Sequence, residues 1–195
     1  MRIERTLPFV ETLGPGKRLV IWTNGCPRHC EGCVTPGFRM VNERIDVNIE
    51  EFFLSYDFSL YDGVTISGGD PFMQVEELKH LLTYLKDKGI KDILVYTGYT
   101  LKEIKDNPRM NECLPYIDVL IDGPYIDSMN DDKDNLRGSK NQNIIYLNEA
   151  LMDRYEKYHR DERKMEEHQF SRHLVGVGIP TREYIMDFKR SKICQ

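Results

Sequence analysis

A chain of 195 residues has room for one domain of ordinary size, and 40% hydrophobic with 30% charged residues supplies material for an apolar core. Disorder throughout and a disulfide-only scaffold are thereby excluded. The 27 basic side chains against 32 acidic ones leave a net charge of −5, which argues against a general binder of nucleic acid.

Residues 1–16 hold two arginines but no apolar stretch of signal-peptide length, and no later run is long enough to span a bilayer. The expected location is the cytoplasm, with no membrane partner. In a reducing compartment the five cysteines are expected to be metal ligands, reactive thiols or core residues rather than disulfides.

Lys17 to Thr23 (KRLVIWT) predicts a buried strand running into a loop at Asn24-Gly25, and that loop carries Cys26, Cys30 and Cys33. A short helix is expected over Asn48 to Tyr56. Gly63 to Ser67 (GVTIS) predicts a second strand, stopped by Gly68 and Gly69. In Gln74 to Lys88 the residues Val75, Leu78, Leu81, Leu82 and Leu85 recur at helical spacing. Asp92 to Thr97 (DILVYT) reads as a strand and Leu101 to Asp106 as a helix. Tyr116 to Asp122 (YIDVLID) and Asn143 to Leu147 (NIIYL) complete the strands, with a loop rich in Asp, Asn and Gly between them.

Strands of nearly continuous Val, Ile and Leu alternating with helices predict an α/β fold with a mainly parallel sheet. Such sheets bind ligands at the carboxyl ends of their strands, where Asn24, Ser67, Thr97 and Asp122 fall. The strands are too few for eight β/α units, so the expectation is a partial, open (β/α) barrel. Residues 1–147 form the expected core domain and 148–195 a charged, helical C-terminal extension of unassigned role. Within it, Met152 to His173 predicts a solvated helix with His159, His168 and His173 on the surface. An apolar stretch, Leu174 to Pro180 (LVGVGIP), and a second short helix over Thr181 to Lys192 follow.

Cys26-Pro-Arg-His-Cys30-Glu-Gly-Cys33 places three thiols in one loop with no fourth cysteine nearby. Structural zinc takes four ligands, for which His29 is the available candidate, whereas a four-iron cluster is held by three cysteines with one iron left open. Ser67-Gly68-Gly69-Asp70-Pro71 follows the second strand. Its glycines allow close backbone approach to a ligand, and the same turn also suits Asp70 as a helix cap with Pro71 at the first helical position. Gly14 to Lys17 is not a phosphate loop, because Arg18 replaces Ser or Thr and a strand follows. Cys113 and Cys194 are isolated and receive no role; Tyr96 and Tyr99 read as core or rim aromatics.

Together, CxxxCxxC after the first strand and the GGDP element after the second resemble the radical S-adenosylmethionine superfamily. Gly14-Pro15-Gly16-Lys17-Arg18, Gly32, Tyr96-Thr97-Gly98-Tyr99, Asp118 to Gly123, and Arg137-Gly138-Ser139 with Asn141-Gln142 narrow the resemblance. They are similar to the activating proteins of anaerobic ribonucleoside-triphosphate reductase, from about Pro8 to Leu147. The resemblance implies a 4Fe-4S cluster on Cys26, Cys30 and Cys33, with S-adenosylmethionine on the open iron. Its cleavage would yield a 5′-deoxyadenosyl radical that takes a hydrogen atom from a glycine of a partner enzyme. The implied partners are that reductase, a glycyl radical enzyme, and a one-electron donor such as a flavodoxin.

For cofactor binding the resemblance points to Gly32, Cys33 and Val34 near the adenine, and to Ser67, Gly68, Gly69 and Asp70 near the amino-acid end. Thr97 and Asp122 end strands at the ligand edge; Asp122 reads equally as an ordinary strand-end aspartate before Gly123-Pro124. Arg137 is suited to grip a carboxylate, with Asn141 on the same loop, and its other reading is a surface arginine. Thr35-Pro36-Gly37-Phe38 and the segment after residue 147 depart from the pattern. They keep open an activase of another glycyl radical enzyme or a peptide-modifying radical enzyme. A non-enzymatic iron-sulfur or zinc module is the alternative from a different class.

Overall fold

The computed structural model describes residues 1–170 and 173–193; Cys194 and the side chain of His173 lie outside the described residues. The elements in chain order are β1 (Ile3–Val10), β2 (Arg18–Thr23), α1 (Ile49–Phe52), β3 (Gly63–Gly68), α2 (Val75–Asp87), β4 (Ile93–Tyr96), α3 (Leu101–Asp106) and α4 (Pro108–Asn111). After them come β5 (Val119–Asp122), β6 (Asn143–Tyr146), α5 (Met152–His159), β7 (Met165–Phe170), β8 (His173–Gly178) and α6 (Arg182–Ile193).

One six-stranded sheet runs β1 to β6 in chain order. β2 to β5 are parallel, while β1 and β6 pair antiparallel at the two edges, so the sheet is open and mainly parallel. Every strand expected from the sequence is present. β1 was not foreseen: it is an edge strand with Pro8 in it and Phe9 at a φ of 61°, and its pairing with β2 shifts register between Leu7 and Val10.

Alternation along the strands sends side chains to two separate cores. Leu19, Ile21, Val64, Ile66, Ile93 and Val95 face α2, whose Leu78, Leu81, Leu82 and Leu85 are fully buried against them. Each such leucine contributes about 1.5–3 kcal/mol relative to an exposed one. Gly89, at a φ of 86°, supplies the left-handed residue that ends the helix.

The other face carries Val20 and Trp22, then Leu94, Val119 and Ile121, and it is covered by the C-terminal segment. Val177 of β8 joins the first group and Tyr155 of α5 the second, both buried. Parallel strands need both faces covered, and here the extension covers the second. The solvated helix expected over residues 152–173 is therefore corrected. The helix ends at His159, and Met165–Phe170 is a strand paired with β8 in a two-stranded sheet. Polar MEEHQF lacks an apolar period and gives no signal for that strand in sequence. His159 and His168 are only partly exposed and lie beside Asp134 at 3.1 Å and Glu166 at 2.9 Å.

Beneath the second face, Arg18 pairs with Asp92 at 2.9 Å, donates to Thr65 Oγ1 and to the Val64 carbonyl, and is fully buried. Tyr155 Oη donates to the same Asp92 at 2.6 Å. The Gly14-Pro15-Gly16 turn belongs to this structural end of the sheet, where the Pro15 carbonyl accepts from both Arg18 and Arg154. No helix among the described residues is long and apolar enough to cross a membrane.

Candidate functional site

The four parallel strands end on one edge, with Thr23 beside Gly68 and Tyr96 beside Ile121. The loop leaving β2 carries the three thiols and is tied at both feet by one buried side chain. Asn24 Nδ2 donates to Glu4, its Oδ1 accepts the Asn42 amide at 2.8 Å, and its carbonyl accepts from Gln74. The Gly25 and Cys26 amides then donate to the carbonyls of Phe38 and Arg39, folding the loop back on itself.

β3 ends in the GGDP turn, which is bonded to the base of this loop. The Gly69 amide donates to the Thr23 carbonyl and the Asp70 amide to the Gly25 carbonyl, both at 2.8 Å. A Cβ on Gly68 would lie 2.3 Å from the Thr23 nitrogen, and one on Gly69 would lie 2.2 Å from the Gly25 oxygen. Gly68 also holds a φ of 114°. The sequence reading attributed these glycines to close approach by a ligand; the neighbouring backbone alone already forbids a side chain at both.

Asp70 is buried and caps the turn as expected. Its Oδ1 accepts from the Phe72 amide and Thr97 Oγ1, and its Oδ2 accepts from the Gly98 amide at 2.9 Å. Burial pushes this carboxyl up, opposed by the bonds from Gly98, Thr97 and Phe72. These three bonds make Asp70 the strut between the turns after β3 and β4.

One cleft at this edge is lined by Cys26, Cys30, Gly32, Cys33 and Val34, by Ser67, Gly68, Gly69 and Asp70, and by Thr97. Eight of the proposed cofactor contacts, Cys33 among them, thus meet with the other two thiols. Asp122, Arg137 and Asn141 do not line it. Asp122 is buried and holds the Leu101 amide and Asn143, the ordinary strand-end role. Arg137 is engaged by Asp134 and the Gln142 carbonyl, and Asn141 donates to the Pro124 carbonyl. These three shape the loops, and the cleft is met instead by their neighbours Gly123, Gly138 and Gln142. Gln142 accepts from the Gly138 and Ser139 amides and donates to the Gly123 carbonyl, so the RGSxNQ element closes on itself.

Arg28, Tyr125, Asn130, Ile179, Pro180 and Ile185 also line the cleft and were not singled out in sequence. Arg28 lies over the Tyr99 ring at 4.9 Å, and its buried Nε has no hydrogen-bond partner among the described residues. Its position inside CxxxCxxC was the available signal. Ile179 to Ile185 carried none, since they reach the site only through the tertiary fold.

The donor set fits an iron-sulfur group better than a single ion. Cys26, Cys30 and Cys33 are free, partly exposed thiols. Among the described residues no three His, Cys, Asp or Glu side chains converge as one ion requires, and His29 is exposed and outside the cleft lining. A four-iron cluster spreads its thiolates over separate irons, so its ligands need not meet at one point. Burial pushes the Cys26 thiol up, the backbone at Arg28 opposes this, and Asp70, Cys33 and Cys30 push it further.

Residues 12–145 match the family model described as a 4Fe-4S single cluster domain. The chain is 34% identical over 154 residues to the anaerobic ribonucleoside-triphosphate reductase-activating protein of Vibrio cholerae, covering 74% of this chain and 97% of that one. It is 33% identical over 150 residues to the protein of that name from Enterobacteria phage T4, covering 74% and 93%. The Escherichia coli K12 protein is 30% identical over 145 residues, covering 69% and 91%. By sequence coverage, cluster motif and the geometry of its cleft, the chain belongs to the family of anaerobic ribonucleoside-triphosphate reductase-activating proteins.

Proposed function

We propose that this chain is a radical S-adenosylmethionine enzyme that installs a glycyl radical on an anaerobic ribonucleoside-triphosphate reductase. The observation that carries the reading is the joining of Cys26, Cys30 and Cys33 to the GGDP turn in a single cleft. In this reading the open sheet is a partial barrel of the radical S-adenosylmethionine type, with residues 1–147 as the cofactor-carrying core. A flavodoxin or similar one-electron donor completes the system.

Cys26, Cys30 and Cys33 would hold the 4Fe-4S cluster, and Gly32, Val34, Ser67, Gly68, Gly69 and Thr97 would line the cofactor's berth. When bound, the cluster would supply one electron to S-adenosylmethionine, whose cleavage would give methionine and a 5′-deoxyadenosyl radical able to take a hydrogen atom from the partner's glycine. The chain's own part is geometric. Asp70 locks the turns after β3 and β4 together, the backbone carbonyls of the GGDP turn offer acceptors to an ammonium group, and Arg28 brings a guanidinium to the negative end of the cleft.

The test is anaerobic. The reconstituted, dithionite-reduced protein receives S-adenosylmethionine, and 5′-deoxyadenosine is quantified beside a Cys30→Ala control. Cluster-dependent product supports the radical chemistry; a glycyl radical signal on added reductase supports the partner. Zinc at one per chain with no iron would sink both.

A further inference from the structure

The family model ends at residue 145, yet Ile179, Pro180 and Ile185 line the same cleft as the thiols. Two arginines link this added segment to the cleft: Arg182, whose Nη2 donates to the Asp127 carbonyl at 2.6 Å, and Arg163, whose side chain is 3% exposed and which ties the larger number of loop groups. The Arg163 guanidinium has five N–H donors and makes five hydrogen bonds. Nε donates to the Asp134 carbonyl, Nη1 to Asp132 Oδ1 and the Pro180 carbonyl, and Nη2 to Asn130 Oδ1 and the Arg137 carbonyl.

Those partners form a chain of contacts back to the cysteine loop. Asn130 Nδ2 donates to Tyr125 Oη at 3.3 Å, and Tyr125 donates to Asp127 at 2.7 Å. A Cβ on Gly32 would lie 2.7 Å from Asp127 and 3.3 Å from the Tyr125 ring, so this pair sits directly on the residue that precedes Cys33. Asp132, held at a φ of 60°, also accepts the Arg182 amide. Two residues of the extension, Arg163 and Arg182, thus hold the Asp132 carboxylate, while its amide bonds locally to Asn130 Oδ1 at 3.0 Å.

We infer that the segment beyond residue 160 is a built wall of the cleft, with Ile179, Pro180 and Ile185 facing the nucleoside end of the cofactor and Arg163 as the positioning residue that sets that wall against the cysteine loop. This rests on the cofactor reading above. The apolar side chains offer nothing to an ammonium or carboxylate, which leaves the nucleoside as the part they suit. Arg163 touches no cofactor; it acts through Asn130 and Tyr125.

The test uses the full-length, cluster-loaded protein with Arg163→Gln, Arg163→Lys and Ile185→Ala. Three quantities are read: equilibrium binding of S-adenosylhomocysteine, amide hydrogen exchange over residues 125–138, and the split of KM and kcat for 5′-deoxyadenosine release. Arg163→Gln should speed exchange and weaken binding about tenfold, with the loss in KM rather than kcat. Arg163→Lys should recover little, because an ammonium cannot span five acceptors. Ile185→Ala should weaken binding roughly fivefold and leave exchange unchanged. Unaltered binding in Ile185→Ala and in the Arg163 variants, beside a wild-type protein that binds normally, would overturn the wall alone. A loaded wild-type protein that binds no S-adenosylhomocysteine would overturn the cofactor reading and the wall with it. Should Arg163→Gln fail to fold, Ile185→Ala still decides.

Discussion

Tyr155 of α5 donates its hydroxyl to Asp92 Oδ1 at 2.6 Å, and the same carboxylate holds the fully buried Arg18 at 2.9 Å. A residue outside the family-matched region thus completes an ion pair inside it.

Removing the carboxylate while keeping the guanidinium leaves a charge buried without a partner. Asp92→Ala should cost about 3–5 kcal/mol in urea unfolding. Tyr155→Phe removes one hydrogen bond and no charge, and should cost about 1–2 kcal/mol. Equal losses from the two would show that the pair is not the main contributor.

Asp70 accepts three hydrogen bonds with two oxygens, whereas an amide has one acceptor oxygen and would turn an N–H toward an existing donor. Asp70→Asn should therefore lose about 1–3 kcal/mol of stability. Thermal unfolding of the iron-free protein isolates this from any effect on the cofactor.

Gly69→Ala drives a methyl group into the Gly25 carbonyl at 2.2 Å, while Gly37 has nothing within 4 Å of the same atom. The first change should cost about 1–3 kcal/mol, and the second should stay within about 0.5 kcal/mol. Equal behaviour in denaturant titrations would refute the packing argument for the GGDP turn.

Burial pushes the Cys113 thiol up to about 11, and its side chain is enclosed in the main core. A raised thiol stays neutral through pH 8, with roughly one molecule in a thousand ionised there, so alkylation should spare it until the chain unfolds. Cys26, Cys30 and Cys33, partly exposed, should be modified in the native iron-free protein. Mass mapping after iodoacetamide treatment distinguishes the two groups.

The central strands and α2 were legible because a strand buried on both faces must be written in Val, Ile and Leu, and a half-buried helix in leucines at its own period. KRLVIWT and VEELKHLLTYLKD leave little choice. β1 and β7 were not legible, since edge strands tolerate polar residues and proline, and IERTLPFV and MEEHQF show no sustained alternation. Within the site, the thiols and GGDP turn were readable from spacing alone. Arg137, Asn141 and Asp122 were readable as a motif but not as to what they touch, because sequence does not tell a ligand contact from a bond that shapes the loop. Arg163 was one charge in a charged run, and only the fold gives it five acceptors.

The cysteine loop is closed at its feet by Asn24, Glu4, Asn42 and Gln74, none of which is a thiol. In small zinc domains the metal is itself the closure, and losing it unfolds the chain. Here the clasp and the cargo are separate parts. The bonds that anchor the loop come from the polypeptide itself, so its closure is written in Asn24, Glu4, Asn42 and Gln74 and not in the group the thiols hold.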